Sequence, residues 1–157
     1  MTNHDRSAPA AGRQTTQATL ELGNSVLRAQ PFSNLVGATI SRFDAGGAVL
    51  EIEITDHHRQ QHGLVHGGVL SYLVDNALTF ACGSILGPDI VTRSLSVTYL
   101  EGARDGQLRA TATVTAHTDR HAVATVTVDE VRRDGSTRTC AVGQGAASTV
   151  GRQTAPI

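Results

Sequence analysis

Helical and strand-like spacings of apolar residues divide the chain into a small set of predicted elements. From Thr16 to Gln30 apolar positions recur at helical intervals, with Leu20 and Leu27 near one side, and Pro31 ends the pattern. From Val69 to Leu86 a helical period spans the longest apolar segment of the chain. The pattern therefore predicts an amphipathic helix near the start and a longer central helix.

Strand-like alternation fills most of the remaining sequence. Two β-rich runs, Leu35 to Phe43 and Ala48 to Thr55, flank a short connection that contains Gly46-Gly47, which predicts a β-hairpin. Four more β-rich runs follow the central helix: Ile90 to Leu100, Gln107 to His117, Ala122 to Val131 and Thr137 to Ala147. The order of helix, hairpin, long helix and four-strand meander predicts an α+β fold with an antiparallel sheet wrapped around one helix.

Length and composition indicate one globular domain. The chain has 157 residues, of which 39% are hydrophobic and 17% charged, and a domain usually takes about 100–200 residues. We expect the domain to span residues 16–149, between a disordered tail over residues 1–15 and a second tail over residues 150–157.

Charge and cysteine content limit the classes of binding partner and indicate the cellular compartment. Thirteen basic and fourteen acidic residues leave a net charge of −1, which disfavours nucleic acid and anionic membranes as partners. Cys82 and Cys140 form no CxxC or zinc-finger spacing. The first residues include Asp5 and lack the apolar stretch of a secretory signal, so we expect a cytoplasmic protein.

The face of the central helix opposite its core stripe carries an acidic residue. The core stripe consists of Val69, Leu70, Leu73, Ala77, Phe80 and Ala81. The other side carries Ser71, Asp75, Thr79 and Cys82. One interpretation is a solvated helix surface. The other is a subunit boundary, where Asp75 is partly removed from water and available for chemistry.

Two glycines precede the same helix. Gly67 and Gly68 lie at its predicted N-terminus, where backbone N–H groups lack intrahelical acceptors and the helix dipole favours negative charge. Such a terminus is either an ordinary tight turn or a site for an oxyanion. The eight residues from Gly67 to Asp75 span about 12 Å along the helix axis. A single reaction centre would therefore combine Gly67 of one chain with Asp75 of another, in a two-fold dimer.

The segment HGLVHGGVLSYLVDNALTFA resembles the hotdog-fold acyl-CoA thioesterases, specifically the PaaI-like (4HBT-type) group with its HGG-x6-D signature. The resemblance extends from about Pro31 to Ala147. It implies a hotdog fold, homodimers that pair into tetramers, an acyl-CoA substrate and no cofactor. It also implies that the Gly67 N–H contacts the thioester carbonyl, while Asp75 of the facing subunit acts as general base or nucleophile.

The resemblance extends to further site residues. Gln60, six residues before the motif histidine, corresponds to a position that orients water or the thioester; with a slip of one residue Gln61 takes that position. Thr92 corresponds to a position near the scissile group. We expect His66 to orient the loop through its ring. Other side chains and amides are assigned to substrate binding: Gly68, Thr79 and Arg120, the last for the CoA phosphates.

Other kinds of site are less well supported by the residues. His57, His58, His62 and His66 form a histidine-rich segment, but no carboxylates stand at metal-ligand spacing, and we predict no metal site. No GxSxG elbow is present for a serine hydrolase, and Cys82 is more typical of a small core residue than of a nucleophile.

The alternative to an enzyme is a non-catalytic module that binds acyl-CoA or acyl-carrier protein on the same fold. A hydratase is a weaker option, because the Asp/His pair usual in hydratases of this fold is not evident in the sequence. The acyl group itself, and the choice between CoA and carrier protein, stay open at this stage.

Overall fold

The structure is a computed structural model that describes residues 10–151, with side chains described from residue 19. These residues contain three α-helices and six strands. The helices are α1 (Ala10–Arg28), α2 (Pro31–Leu35) and α3 (Gly67–Leu86). The strands are β1 (Ala38–Asp44), β2 (Gly47–Glu53), β3 (Ile90–Tyr99), β4 (Gln107–His117), β5 (His121–Val131) and β6 (Thr137–Thr149). The α+β prediction is confirmed, and most predicted boundaries lie within a few residues of the observed ones.

The N-terminal region differs from its prediction in two details. Helix α1 begins at Ala10, six residues before the predicted start at Thr16. The short helix α2 was not predicted, because five residues are too few to show a helical period; Pro31 occupies its first turn. Of the two predicted tails, residues 1–9 and 152–157 lie outside the described residues, and the tail boundaries stay predictions.

The strands form one antiparallel sheet in the order β1-β2-β4-β5-β6-β3. Consecutive strands β4, β5 and β6 form a meander, but β3 pairs with β6, with Thr92 opposite Ala147 and Tyr99 opposite Ala141. The predicted four-strand meander was therefore wrong about β3. Alternation of apolar residues determines which face of a strand is buried, but it does not determine which strand lies beside it.

Helix α3 crosses the concave face of the sheet and supplies much of the core. Leu70, Leu73, Ala77, Phe80 and Ala81 of the predicted core stripe are buried, while Val69 is half-buried. Helix α3 and strand β3 approach β6 so closely that two glycines are needed on β6. A Cβ atom at Gly143 would collide with Val74 of α3, and one at Gly145 would collide with the carbonyl oxygen of Ser94 in β3.

One expectation for α3 was wrong. Cys82, placed on the polar face by the helical projection, is completely buried, as are Val74 and Leu78. The sheet curves around α3, so the buried surface of the helix is wider than one stripe. Within residues 10–151, α3 is the one helix long and apolar enough to cross a membrane by length and composition, with a mean hydropathy of 1.4. Half of it is buried inside the protein, as in the core helix of a folded domain.

Candidate active site

The first turn of α3 leaves one backbone donor unused. His66 caps the helix: its ring Nδ1 accepts the Gly68 N–H at 2.9 Å, and its carbonyl oxygen accepts the Val69 N–H at 2.9 Å. Within the described residues, no group accepts the N–H of Gly67. Gly67 is half-buried and its N–H lies at the positive end of the helix dipole, which makes it an available donor for a developing negative charge.

This hydrogen-bonding pattern assigns different roles to the three motif residues. The bond to Gly68 orients the His66 ring and requires Nδ1 to be unprotonated, in agreement with the expected loop-orienting role of His66. The Gly68 N–H is occupied by that bond and is not free for a substrate. Only Gly67 of the pair presents an unpaired amide.

Tyr99, at the end of β3, lies over Gly67. Two ring carbons of Tyr99 are 3.4 Å from the position that a Cβ atom of Gly67 would occupy. The Tyr99 hydroxyl donates to the Gly67 carbonyl at 3.3 Å and is 2.5 Å from the Ser71 hydroxyl. Sequence reasoning did not assign Tyr99 to the site, since it stands 32 residues away in sequence and no local pattern connects the two positions.

Asp75, two turns further along α3, is held by threonines. The Thr92 hydroxyl donates to Asp75 Oδ1 at 2.7 Å. The Thr79 hydroxyl donates to the Asp75 backbone carbonyl at 2.9 Å and is 3.1 Å from the Thr92 hydroxyl. Asp75 is half-buried, and its second carboxylate oxygen has no hydrogen-bond donor among residues 10–151. Three of the predicted site residues, Asp75, Thr79 and Thr92, thus lie together.

The two parts of the site are separate within one chain. Gly67 and Asp75 stand about 12 Å apart along the axis of α3. Strand β3 also keeps the two parts separate, because Thr92 near its start contacts Asp75 while Tyr99 at its end contacts Gly67.

Among the described residues, Gln60 makes its hydrogen bonds inside the loop before α3 and none to Gly67 or Asp75. The loop before α3 folds back on itself: His66 N–H bonds to the His58 carbonyl at 2.7 Å, and Gln60 N–H bonds to the Leu64 carbonyl at 2.8 Å. The side-chain oxygen of Gln60 accepts the His62 N–H inside this loop. His58 therefore stands opposite His66, and the role predicted for Gln60 stays a prediction.

Arg120 is an exposed residue of the turn between β4 and β5. Its carbonyl accepts the Thr149 N–H at 3.0 Å, beside the start of β3, whose residue Ile90 pairs with Thr149. Arg120 is therefore at the end of the sheet remote from Gly67 of the same chain, and its proposed contact with CoA phosphates stays a prediction.

The histidine-rich segment and Cys82, the other candidates for a metal site or a nucleophile, have structural roles. The buried His58 ring bonds to the Val36 carbonyl at 3.1 Å and to the Thr55 N–H at 3.1 Å. No group of three His, Cys, Asp or Glu residues within the described residues is placed to hold a metal ion. Burial raises the pKa of the Cys82 thiol, which opposes the thiolate form that a nucleophile requires.

Comparison with known proteins agrees with the resemblance found in the sequence. Residues 62–137 match the model of the thioesterase superfamily (4HBT). The chain has the hotdog fold and resembles that superfamily over this segment. The matched segment contains the Gly67 turn, all of α3 and strand β3, so it includes both parts of the site.

Relatives and solved structures agree with this assignment. Human acyl-coenzyme A thioesterase 13 is 29% identical over 105 residues, which cover 65% of this chain and 72% of the relative. A thioesterase family protein from Silicibacter pomeroyi has a TM-score of 0.77 at 26% identity, covering 82% of this chain and 96% of that one. A mutant of the phenylacetic acid degradation protein PaaI from Thermus thermophilus has a TM-score of 0.68 at 28% identity, covering 77% of this chain and 100% of that one. The hotdog fold and the PaaI-like resemblance are confirmed, and the match to the thioesterase superfamily supports a thioester hydrolase.

Proposed function

We propose that this protein hydrolyses acyl-CoA thioesters at a site shared between two copies of the chain. The observation that carries the proposal is a pair of unused groups on one helix: the Gly67 N–H, which has no acceptor within residues 10–151, and the second carboxylate oxygen of Asp75, which has no donor there. One stabilises an oxyanion and the other accepts a proton, which are the two needs of acyl transfer to water.

The proposed reaction uses each group once. The thioester carbonyl oxygen accepts the Gly67 N–H, and the charge that develops on it is stabilised by about 2.7–4 kcal/mol. The Asp75 carboxylate takes a proton from water as the water oxygen attacks the carbonyl carbon, a contribution of about 10²–10⁴-fold. The C–S bond then breaks, and the CoA sulfur leaves and receives the proton. Direct attack by Asp75, with hydrolysis of the resulting anhydride, uses the same two groups.

The exposed edge of strand β3 offers a way for two copies of the chain to pair and form the shared site. It is an edge of the sheet in the described part of the chain, it is ten residues long, and Val91 and Leu95 on it are exposed apolar residues. Such an edge offers unpaired backbone groups to a second strand. With a two-fold axis between Leu95 and Ser96, antiparallel pairing of two β3 strands sets Thr92 opposite the partner's Tyr99. Because Thr92 holds Asp75 and Tyr99 covers Gly67, this pairing joins the two parts of the site.

The assignment of acyl-CoA as the substrate class is based on the similarity to known thioesterases. The human relative is named an acyl-coenzyme A thioesterase, and we extend that class to this chain. A release assay for free thiol with acyl-CoAs tests it, and binding without turnover on every acyl-CoA of a broad panel would contradict hydrolysis.

Complementation between two inactive variants tests the shared site. Gly67→Pro removes the one backbone N–H that the mechanism uses. Proline is well tolerated at the first position of a helix, and His66, with φ −63° and ψ 134°, already has the conformation required before proline. Gly67→Ala is the matched variant: it keeps the N–H, and its Cβ would make an ordinary 3.4 Å contact with Tyr99.

We expect Gly67→Pro to lower kcat by about 10²–10³-fold and Asp75→Asn to lower it by about 10²–10⁴-fold, with Gly67→Ala far less affected. In a heterodimer of the Pro and Asn variants, one of the two sites has both native groups. Differently tagged chains, co-expressed and purified as heterodimers, should therefore recover about half of the native activity. A heterodimer as inactive as its parents would contradict a site shared across the dimer.

A further inference from the structure

A groove without an assigned role runs between α1 and α3. Its volume is about 660 Å³, within the range of about 300–1,000 Å³ that is typical of small-molecule sites. Apolar side chains from both helices and the sheet line most of it, and none of the lining residues whose side chains the structure describes is charged. The principal apolar walls are Leu22, Val26, Phe43, Phe80 and Ile90.

The groove exists because α1 packs on β1 and leaves a gap beside α3. The Asn24 side chain bonds to both the N–H and the carbonyl of Ile40, at 3.1 and 2.9 Å. At Gly23 the helix passes so close to Phe43 that a Cβ atom there would be 2.9 Å from the ring. Phe43 in turn packs edge-to-face on Phe80, with ring centroids 5.7 Å apart. Both walls are therefore anchored, and the groove is preformed.

One end of the groove reaches the reacting groups. Thr79 lines it, and the Thr79 hydroxyl is 3.1 Å from the Thr92 hydroxyl that donates to Asp75. From Thr79 the groove follows α3 past Gly83 to Gly87 at the end of the helix. These eight residues correspond to about 12 Å of helix.

We propose that this groove holds the acyl group of the substrate, and that Gly83 sets the acyl length. The inference rests on the proposed function, because it places the thioester beside Asp75. An apolar groove without charges suits an alkyl chain, and about 12 Å accommodates about eight to ten carbons in extended form, given carbon–carbon bonds of about 1.5 Å. Hence medium-chain acyl groups are the preferred substrates.

Gly83 is the position at which this length is most easily changed. A Cβ atom there would lie 3.5 Å from the Ile90 Cδ1 atom on the far side, an ordinary contact. A leucine would extend beyond that point and fill the groove one turn after Thr79. Val26→Trp narrows the groove from the α1 side, where Val26 is 44% exposed and tolerates a larger side chain. It provides a second variant should Gly83→Leu fold poorly.

Binding is measured in the Asp75→Asn background, where substrate is not consumed, by calorimetry with acyl-CoAs of increasing chain length. Each added methylene should tighten Kd by about fourfold, the equivalent of about 0.8 kcal/mol, until the groove is full at about ten carbons. Gly83→Leu and Val26→Trp should each move this plateau to about four to six carbons. Ser25→Leu adds the same side chain as Gly83→Leu at an exposed α1 position outside the groove lining, and the plateau should stay in place.

The outcomes separate this inference from the proposed function. A Kd independent of chain length, or a plateau that neither groove variant shortens, would overturn the groove as the acyl site even if the native protein hydrolyses acyl-CoAs. If the plateau and its shift are found but the native protein turns over no acyl-CoA, the groove stands and hydrolysis fails. In an active native protein the ratio of kcat/KM for decanoyl-CoA to that for butanoyl-CoA should fall in Gly83→Leu by at least about tenfold.

Discussion

Two carboxylates, one in the sheet and one on the central helix, differ in how completely they are hydrogen-bonded. Glu130 in β5 is fully buried and accepts the N–H groups of Arg104 at 2.5 Å and Asp105 at 3.2 Å. The guanidinium groups of Arg132 and Arg138 each add a bond of 3.0 Å. Asp75 on α3 is half-buried and accepts one side-chain bond, from Thr92.

The difference separates a structural carboxylate from an available one. Burial alone disfavours the charge of Glu130, but the amides of Arg104 and Asp105 and the two arginines outweigh it and lower its pKa. The carboxylate oxygens of Glu130 accept all of these hydrogen bonds and so connect the turn before β4 to strands β5 and β6. One oxygen of Asp75 has no donor among the described residues and is free for water or substrate. Burial of an acid is therefore a poor guide to function in this fold, and unused hydrogen-bonding capacity is a better one.

The largest effect outside the shared site should come from Glu130→Gln. Loss of this charge leaves two guanidinium groups without their buried partner, which costs about 3–5 kcal/mol when a buried pair is broken. We expect the lower end, about 3 kcal/mol, since Arg132 and Arg138 remain about one-third exposed. Urea unfolding should show the loss, while kcat of the folded variant stays close to the native value.

Glu51→Gln is the matched control for that prediction. The Glu51–Arg109 pair, at 2.7 Å, is also an ion pair between neighbouring strands, but Arg109 is 43% exposed. Such pairs contribute about 0.2–1 kcal/mol. Equal losses in the two variants would mean that the donors around Glu130 add nothing beyond a surface ion pair.

A smaller effect should come from Thr92→Val, which removes the single side-chain donor to Asp75 and keeps the shape of the residue. A hydrogen bond to a charged group contributes about 1.5–3 kcal/mol, so kcat/KM should fall by about 10- to 150-fold. Thr92→Ser restores the hydroxyl and should recover most of the activity. A Val variant as active as the native protein would show that Asp75 needs no such partner.

The smallest effect concerns pH. Because the folded protein lowers the pKa of Glu130 below its ordinary value of 4.5, its contribution to stability is complete above about pH 4.5 and is lost as the pH falls through the folded pKa. The difference in unfolding free energy between the native protein and Glu130→Gln should therefore be constant from about pH 7 to about pH 5 and shrink at lower pH. A constant difference down to about pH 3 would contradict the lowered pKa.

Much of the fold was predictable because periodicity is a local property. The four strands after α3 begin and end within two residues of their predicted limits, and the start of α3 differs from its prediction by two residues. The predictions failed where distant parts of the chain meet. Strand β3 lies beside β6, and Cys82 is buried by a curved sheet.

The sequence by itself determined the six strands and the two long helices, the HGG-x6-D signature and the placement of Gly67 and Asp75 about two turns apart on one helix. Periodicity, helical rise and amide chemistry depend on neighbouring residues alone. Only the tertiary structure decided that Thr92 holds Asp75, that Tyr99 covers Gly67 and that a groove runs from Thr79 along α3. Those contacts require β3 to cross to the far edge of the sheet and α1 to pack on β1. Long-range packing of this kind has no local pattern in the sequence.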